Sequence, residues 1–506
     1  MKKLKEIYFG TADGKNEKNI IENFFNYQNI YEQLENGKFL ILGNKGTGKT
    51  FLLEYFKKRK EEDGNIFASI SLEKFFSNKK ILEAREELLD ERKLLKWIIY
   101  IELSKLILSS LDFINKKDKL VKRLQAFMKK NSFDLELDTD RIIDSSLERG
   151  VKGSLSGEKG ISFFIEKVKN IRSNTKPGAY YEYIDALEKI IITILSDQWE
   201  SQNKIYIIFD ELDNLPNNFK EMYPILRELL KLTDDLNGKW KEKSCIQILI
   251  GMRLDIYYNI DATFTNKLKE DRGIILDWNT QDGIMSPLFK MLFHKIRSSD
   301  IELKDISHKE IGKLLFPKQK FKLNKKEKMD IYEYILGKTL LRPRDIVSFF
   351  LKAQYLYPDN ITLSPAELQK VAKDFSSTLF MEIQNQISGT LEIEKFNEFI
   401  KLLKKMKKNI FRFEELKITL IKYKTLFQHI NEENIEMILE EMFRIGVIGN
   451  LKETNNHIRG AYFKYKNDNE IDLEEQLTVH YGVRYHLNLD SEKELLDENI
   501  KEKGEN

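Results

Sequence analysis

Residues 39–50 read FLILGNKGTGKT, and these twelve positions decide the fold. The apolar run Phe39 to Leu42 is too short for a helix and suits a strand buried on both faces of a parallel sheet. GNKGTGKT, at 43–50, has the GxxxxGK[ST] spacing of a phosphate-gripping loop. The physics is local. Gly43, Gly46 and Gly48 let the backbone turn tightly, so that successive N–H groups face an anion. A helix opening at Lys49 and continuing through FLLEYFKKRK brings its positive dipole end to the same point. Such a loop takes a nucleoside triphosphate with Gly43, Asn44, Lys45, Gly46, Thr47, Gly48, Lys49, Thr50 and Phe51. Lys49 reaches the terminal phosphates and the Thr50 hydroxyl holds Mg2+. A chance match in a chain of this length has a probability of roughly one or two per cent.

A phosphate loop needs an acidic strand end beside it. IYIIFDELD, at 205–213, supplies five apolar residues and then Asp210 and Glu211. Carboxylates at the C-terminal end of a buried parallel strand project into the ligand crevice. Asp210 then holds the metal, and Glu211 polarises the attacking water. Two more strands follow, SCIQILIGM at 244–252 and GIILDW at 273–278. Arg253 ends the first, where it either stabilises phosphate charge or pairs with Asp255 or Asp213. Arg272, before the second, is an arginine finger or a surface charge.

Composition bounds the rest. The chain has 506 residues, 33% charged and 41% hydrophobic, long enough for two to four domains. A net charge of +3 is too small to imply nucleic-acid binding. The first residues, MKKLKEIYFGTADG, lack the apolar core of a secretory signal, and the apolar stretch at 97–111 is interrupted by Glu102 and Lys105. The single cysteine, Cys245, excludes internal disulfides and fits a reducing, cytoplasmic setting. The six histidines form no ligand pattern, and His480 and His486 are read as structural.

GNKGTGKT, IYIIFDELDNL, GMRLD at 251–255 and TLLRPRD at 339–345 together resemble AAA+ and STAND-type ATPases. The likeness is greatest to bacterial P-loop ATPases of mobile-element and defence loci, and DELDNL is also similar to origin-recognition AAA+ proteins. It covers about 9–355, with a looser likeness at 395–490. The resemblance implies ATP and Mg2+ as cofactors, Asp210 and Glu211 as the Walker B pair, and Arg253 in the first-sensor position. Arg342 or Arg344 takes the second-sensor position on a helical lid, unless both pair with Asp345 or a neighbouring acid. Tyr8 or Phe9 is a candidate to clamp the base. One departure stands out. About 160 residues separate the loop from Asp210, so 73–200, after a strand at 65–72, reads as a largely helical insertion with a hairpin at 149–165.

The expected fold is therefore α/β: a P-loop core over 1–300 carrying the insertion, a helical lid over 301–385, a winged helix over 390–490 and an acidic, disordered tail over 491–506. In the lid, Pro343 sits in the first turn of a helix, where no amide donor is needed. Within 309–328 eight lysines face two acids, a solvated face or a polyanion site. The third winged-helix helix carries Glu432, Glu433, Glu436, Glu440 and Glu441, which phosphates repel. Only the wing, with His457, Arg459, Lys464 and Lys466, is basic, so a protein partner is favoured over DNA. The functional expectation is an ATP-binding and ATP-hydrolysing switch that regulates or recruits an effector, with antiviral defence as its setting. An origin-recognition-like DNA-binding ATPase and a scaffold with negligible turnover are the alternatives. Oligomerisation is compatible with all three; a membrane is not expected.

Overall fold

The computed structural model describes every residue except 12, 73–90, 111, 131–180, 198, 200–201, 212–221, 241–244, 261, 280–282, 323–327, 388–390, 454–458, 465–469 and 490–506. The hairpin expected at 149–165, Asp213, His457, Lys466 and the acidic tail lie outside the described residues. Contacts divide the chain into two compact units: Ile30–Leu42 with Leu52–Ile275, and Met1–Asn29 with Gly43–Phe51 and Leu276–Asn506.

The first unit is built on a five-stranded sheet of β1 (Leu40–Gly43), β2 (Ile66–Ser71), β3 (Ile205–Asp210), β4 (Ile246–Arg253) and β5 (Gly273–Ile275), in the order β2-β3-β4-β1-β5. β2 pairs parallel with β3, β3 with β4, and β1 with β5. The unbroken apolar runs form these strands because helices cover them, and all six residues of β3 are buried. β5 is shorter than the expected 273–278, since its partners Leu40 to Leu42 end where β1 gives way to the glycine loop. β3, carrying Asp210, is not the direct neighbour of β1, because β4 lies between them.

α1 (Lys49–Glu62) follows the loop. Much of the expected insertion proves to be the crossover from β2 to β3: α2 (Glu91–Ser109), α3 (Lys119–Lys130) and α4 (Tyr181–Asp197). α2 packs against β2 and β3 as well as against α4 and α5 (Tyr223–Trp240), so it is buried nearly all round. Its two charges meet each other, Lys105 Nζ donating to Glu102 at 2.9 Å, which makes their burial tolerable. α6 (Ala262–Arg272) leads into β5.

In the second unit, the stretch that includes the expected lid over 301–385 consists of α7 (Pro287–Ser299), α8 (His308–Leu315), a two-stranded hairpin of β6 (Lys320–Lys322) and β7 (Lys328–Asp330), α9 (Ile331–Gly337), α10 (Pro343–Leu356) and α11 (Pro365–Gln384). α10 begins as its sequence requires, with Arg342 at the N-cap and Pro343 in the first turn. α12 (Ile393–Met406), α13 (Phe413–Lys422) and α14 (Ile435–Arg444) follow, with β8 (Ile410–Phe411), β9 (Ile448–Glu453), β10 (Arg459–Tyr462) and β11 (Gln476–Val479) in an antiparallel sheet ordered β10-β9-β11-β8. The small hairpin anticipated there is thus part of a four-stranded sheet. The first residues of the chain join the same apolar core, where Leu4, Ile7 and Phe9 are buried. Phe9, 1% exposed and 5.6 Å from the ring of Phe350, is a core side chain and presents no face to a base. His480 and His486 also serve structure: His480 Nδ1 accepts the Gly482 amide, and His486 stacks on Phe380. Among the described residues no helix is long and apolar enough to cross a membrane.

Candidate functional site

The phosphate loop belongs to the second unit, and its conformation follows from its glycines. Gly46 and Gly48 have φ of 86° and 98°, the left-handed region that side-chain-bearing residues avoid. A Cβ on Gly43 would run into Thr47 Oγ1, so any larger residue there forces the Thr47 side chain to shift.

Each carbonyl from Gly43 to Thr47 accepts a hydrogen bond from the protein. Lys49 Nζ, 7% exposed, donates to Gly43 O at 3.0 Å and to Asn44 O at 3.2 Å. The Thr47 hydroxyl also donates to Asn44 O. Arg342 Nη1 donates to Lys45 O at 3.1 Å, the Arg344 amide to Gly46 O at 3.3 Å, and the Trp278 indole N–H to Thr47 O at 3.0 Å. In a planar trans peptide the N–H points opposite to the carbonyl. Anchoring Lys45 O and Thr47 O therefore turns the Gly46 and Gly48 amides the other way, the orientation an anion needs. Trp278, which no motif marks, is itself held by a stack on Tyr27 at 5.4 Å.

Arg342 and Arg344, the two candidates for the second-sensor position, stand at the start of α10. Arg342 is 5% exposed and pairs with Asp345, 2% exposed, through Nε and Nη2; the shortest contact is 2.7 Å. Arg344 Nη1 donates to Glu382 at 3.2 Å. The Asp345 pairing that the sequence left open is therefore present for Arg342, together with a bond to the loop. Just past the loop, the Phe51 ring stacks on Phe24 and lies 5.4 Å from the Lys295 ammonium. Lys295 donates to Glu17 at 2.8 Å in a pair almost wholly out of water, and burial lowers its pKa. Gly10, with φ of 100°, allows that pair: a Cβ there would lie 2.7 Å from the ammonium.

In the first unit, Asp210 ends β3 and is 9% exposed. Its carboxylate occupies room that Gly251 of β4 leaves: a Cβ on Gly251 would lie 2.5 Å from Asp210 Oδ1. A glycine inside an apolar strand is a readable sign of such a close approach. Glu211 follows with φ of 66°, a conformation uncommon for a residue with a side chain. Arg253, at the end of the neighbouring β4, is 4% exposed and bonded to Asp255 by Nε at 3.0 Å and Nη2 at 2.6 Å. Arg272 pairs with Asp234 at 3.3 Å. Among the described residues there is no cluster of three or more His, Cys, Asp or Glu fit to hold a metal by themselves.

Residues 288–384, which span α7 to α11, match the family model described as the FunZ-associated C-terminal helical domain. No curated protein matches the chain. Among solved structures it matches Cdc6p from Pyrobaculum aerophilum at 12% identity, over 94% of each chain and with a TM-score of 0.31. It also matches the Aeropyrum pernix ORC2 protein in its ADPNP-ADP complexes, at 11% identity over 94% of this chain and 93% of that one, with a TM-score of 0.35. The ADP form of the same protein matches at 10% identity over the same shares, with a TM-score of 0.28. Similarity at this level carries no argument about activity. The P-loop α/β architecture rests on the sheet order and on the loop itself.

Proposed function

We propose that this chain is a Mg2+-dependent ATPase of AAA+ type that uses ATP binding and slow hydrolysis as a conformational switch, regulating or recruiting a protein partner. The observation that carries this reading is the loop, whose carbonyls from Gly43 to Thr47 are all held by protein donors. In the proposed reaction Lys49 leaves the Gly43 and Asn44 carbonyls and pairs with the terminal phosphates. Thr50 and Asp210 offer the hard oxygen ligands that Mg2+ takes, and the room beside Gly251 suits a carboxylate held ready for it. Bound Mg2+ would neutralise part of the charge that builds on the phosphate oxygens. Glu211 accepts a proton from the attacking water, whose oxygen displaces ADP from the terminal phosphorus. The choice of adenine follows the family resemblance.

A protein partner fits the surface of α14 better than nucleic acid does. Glu436 and Glu440 are exposed there, Glu432 and Glu433 are exposed in the turn just before it, and Arg444 is tied to Glu441 at 2.7 Å. We read this region as a winged helix that meets protein, and antiviral defence as the setting that the resemblance favours. The site is tested by ATP binding and turnover. Lys49→Ala is expected to abolish binding, whereas Glu211→Gln retains it and blocks hydrolysis. Chelating Mg2+ should stop turnover in wild type. Equal ATP affinity in wild type and Lys49→Ala would refute the assignment.

A further inference from the structure

We propose that Arg342 and Asp345 are positioning residues that latch the lid to the back of the phosphate loop, so that lid movement and nucleotide release are one event. This rests on the nucleotide-site reading above and gives Arg342 a role other than touching the terminal phosphate.

The argument is geometric. Nε and Nη2 of Arg342 are directed at Asp345, and Nη1 at the Lys45 carbonyl. That carbonyl faces away from the Gly46 amide of the same peptide, so the guanidinium grips the loop from the side opposite its anion-facing amides. To reach a phosphate, Arg342 would have to abandon a buried carboxylate, and leaving a buried charge unpaired is strongly unfavourable. Asp345 is itself fixed, its Oδ2 accepting the Leu340 amide at 2.9 Å. A second bond runs in parallel, from the Arg344 amide to Gly46 O. The first turn of α10 thus holds two successive loop carbonyls. At Gly46 the two segments leave little room for a side chain. A Cβ there would lie 3.2 Å from that of Arg344. Pulling α10 away removes the bonds that fix the Lys45 and Gly46 peptides, and the amide cradle is lost with them.

A latch on the loop and a sensor of the terminal phosphate make opposite forecasts. The loop grips phosphates that ADP and ATP share, so the latch affects both nucleotides equally. A sensor affects ATP alone. Dissociation of fluorescently labelled ADP and of a labelled non-hydrolysable ATP analogue should be timed by stopped flow in the full chain. Arg342→Ala and Asp345→Asn are each expected to speed release of both nucleotides by the same factor, roughly tenfold for the loss of a charge-assisted contact. Arg342→Lys is expected to behave similarly, since an ammonium cannot serve the carboxylate and the carbonyl with a planar fork. Because Arg342→Ala leaves Asp345 buried and unpaired, the thermal midpoint without nucleotide is measured alongside, and Arg342→Lys, which keeps the charge, carries the test if Arg342→Ala fails to fold. Faster release of the ATP analogue with ADP release unchanged, or an Asp345→Asn protein that releases both at the wild-type rate, would overturn the latch and leave the nucleotide site standing. A wild-type chain that binds neither nucleotide would instead overturn the site reading itself.

Discussion

Two residues within the sheet unit decide whether a carboxylate can be kept at the end of β3. Asp210 needs the space that Gly251 leaves, for a Cβ at position 251 would come within 2.5 Å of Oδ1 and within 3.0 Å of Leu53. Gly251→Ala is therefore expected to destabilise the chain by about 1–3 kcal/mol through overpacking, and to lower ATP turnover by displacing the carboxylate. A double-mutant cycle separates this clash from a general strand defect. In an Asp210→Ala background the cost of Gly251→Ala, measured by urea denaturation, should fall well below its cost in wild type. Additive effects would sink the argument. Asp210 was legible as the acid that ends an apolar run, whereas Gly251, a glycine inside another such run, carried a signal that the sequence reading did not use. Their pairing was not, because it depends on β3 and β4 lying side by side, and strand order is not written in any local period. The same holds for Trp278. Its indole caps Thr47 across 231 positions of sequence, a distance at which no spacing rule operates.

At the scale of elements, sequence patterns located β1 to β4, the start of α1 and the first turn of α10 to within a residue or two, because each has a local cause: an apolar run, a glycine loop, a proline where no amide is needed. Elements set by tertiary pairing were less readable. β8, two residues long, exists through its pairing with β11, and β6 with β7 forms within a lysine-rich run that reads as solvated. α8 carries a further consequence. His308 is its first residue, and burial, with Arg297, His294 and Lys290 nearby, pushes the imidazole down to about 4. Its Nε2 meets no hydrogen-bond partner, and a positive charge at a helix N-terminus opposes the dipole. In the unfolded chain the ordinary value is about 6.5. The unfolded state therefore takes up the proton first as pH falls, so stability is complete above about 6.5 and declines towards 4. His294 and His486 are lowered in the same direction and add to the trend. Urea midpoints measured from pH 7.5 to 4 should fall in wild type and fall less steeply in His308→Gln. Identical slopes would show that His308 does not carry the effect.

For the molecule as a whole, the informative fact is that neither compact unit is one continuous stretch: the chain passes between them at 29–30, 42–43, 51–52 and 275–276. Periodicity and capping signals describe neighbours in sequence, so they cannot reveal that Leu4, Ile7 and Phe9 share one apolar core with α7 to α11. Leu4, Ile7 and Phe9 are 0%, 3% and 1% exposed, and the Leu4 and Lys5 amides donate to the carbonyls of Asn360 and Pro358. Gln354 donates to Ile7 O at 2.8 Å, which fixes the segment along α10. Because one apolar cluster runs from Leu4 through α7 to α11 and on to Leu489, removing an anchor near its start should lower the stability of the cluster and not merely fray an end. Phe9→Ala deletes a ring packed on Phe350 and is expected to cost about 3–5 kcal/mol. The change should show in urea denaturation followed by far-ultraviolet circular dichroism, as a lower midpoint with the slope preserved. Lys5→Ala, which removes only an exposed ion pair with Asp359, should leave the midpoint nearly unchanged. A Phe9→Ala protein with the wild-type midpoint would mean that the N-terminal segment lies on the core without contributing to it, and the aromatic residue would again be a candidate for contacting a bound base.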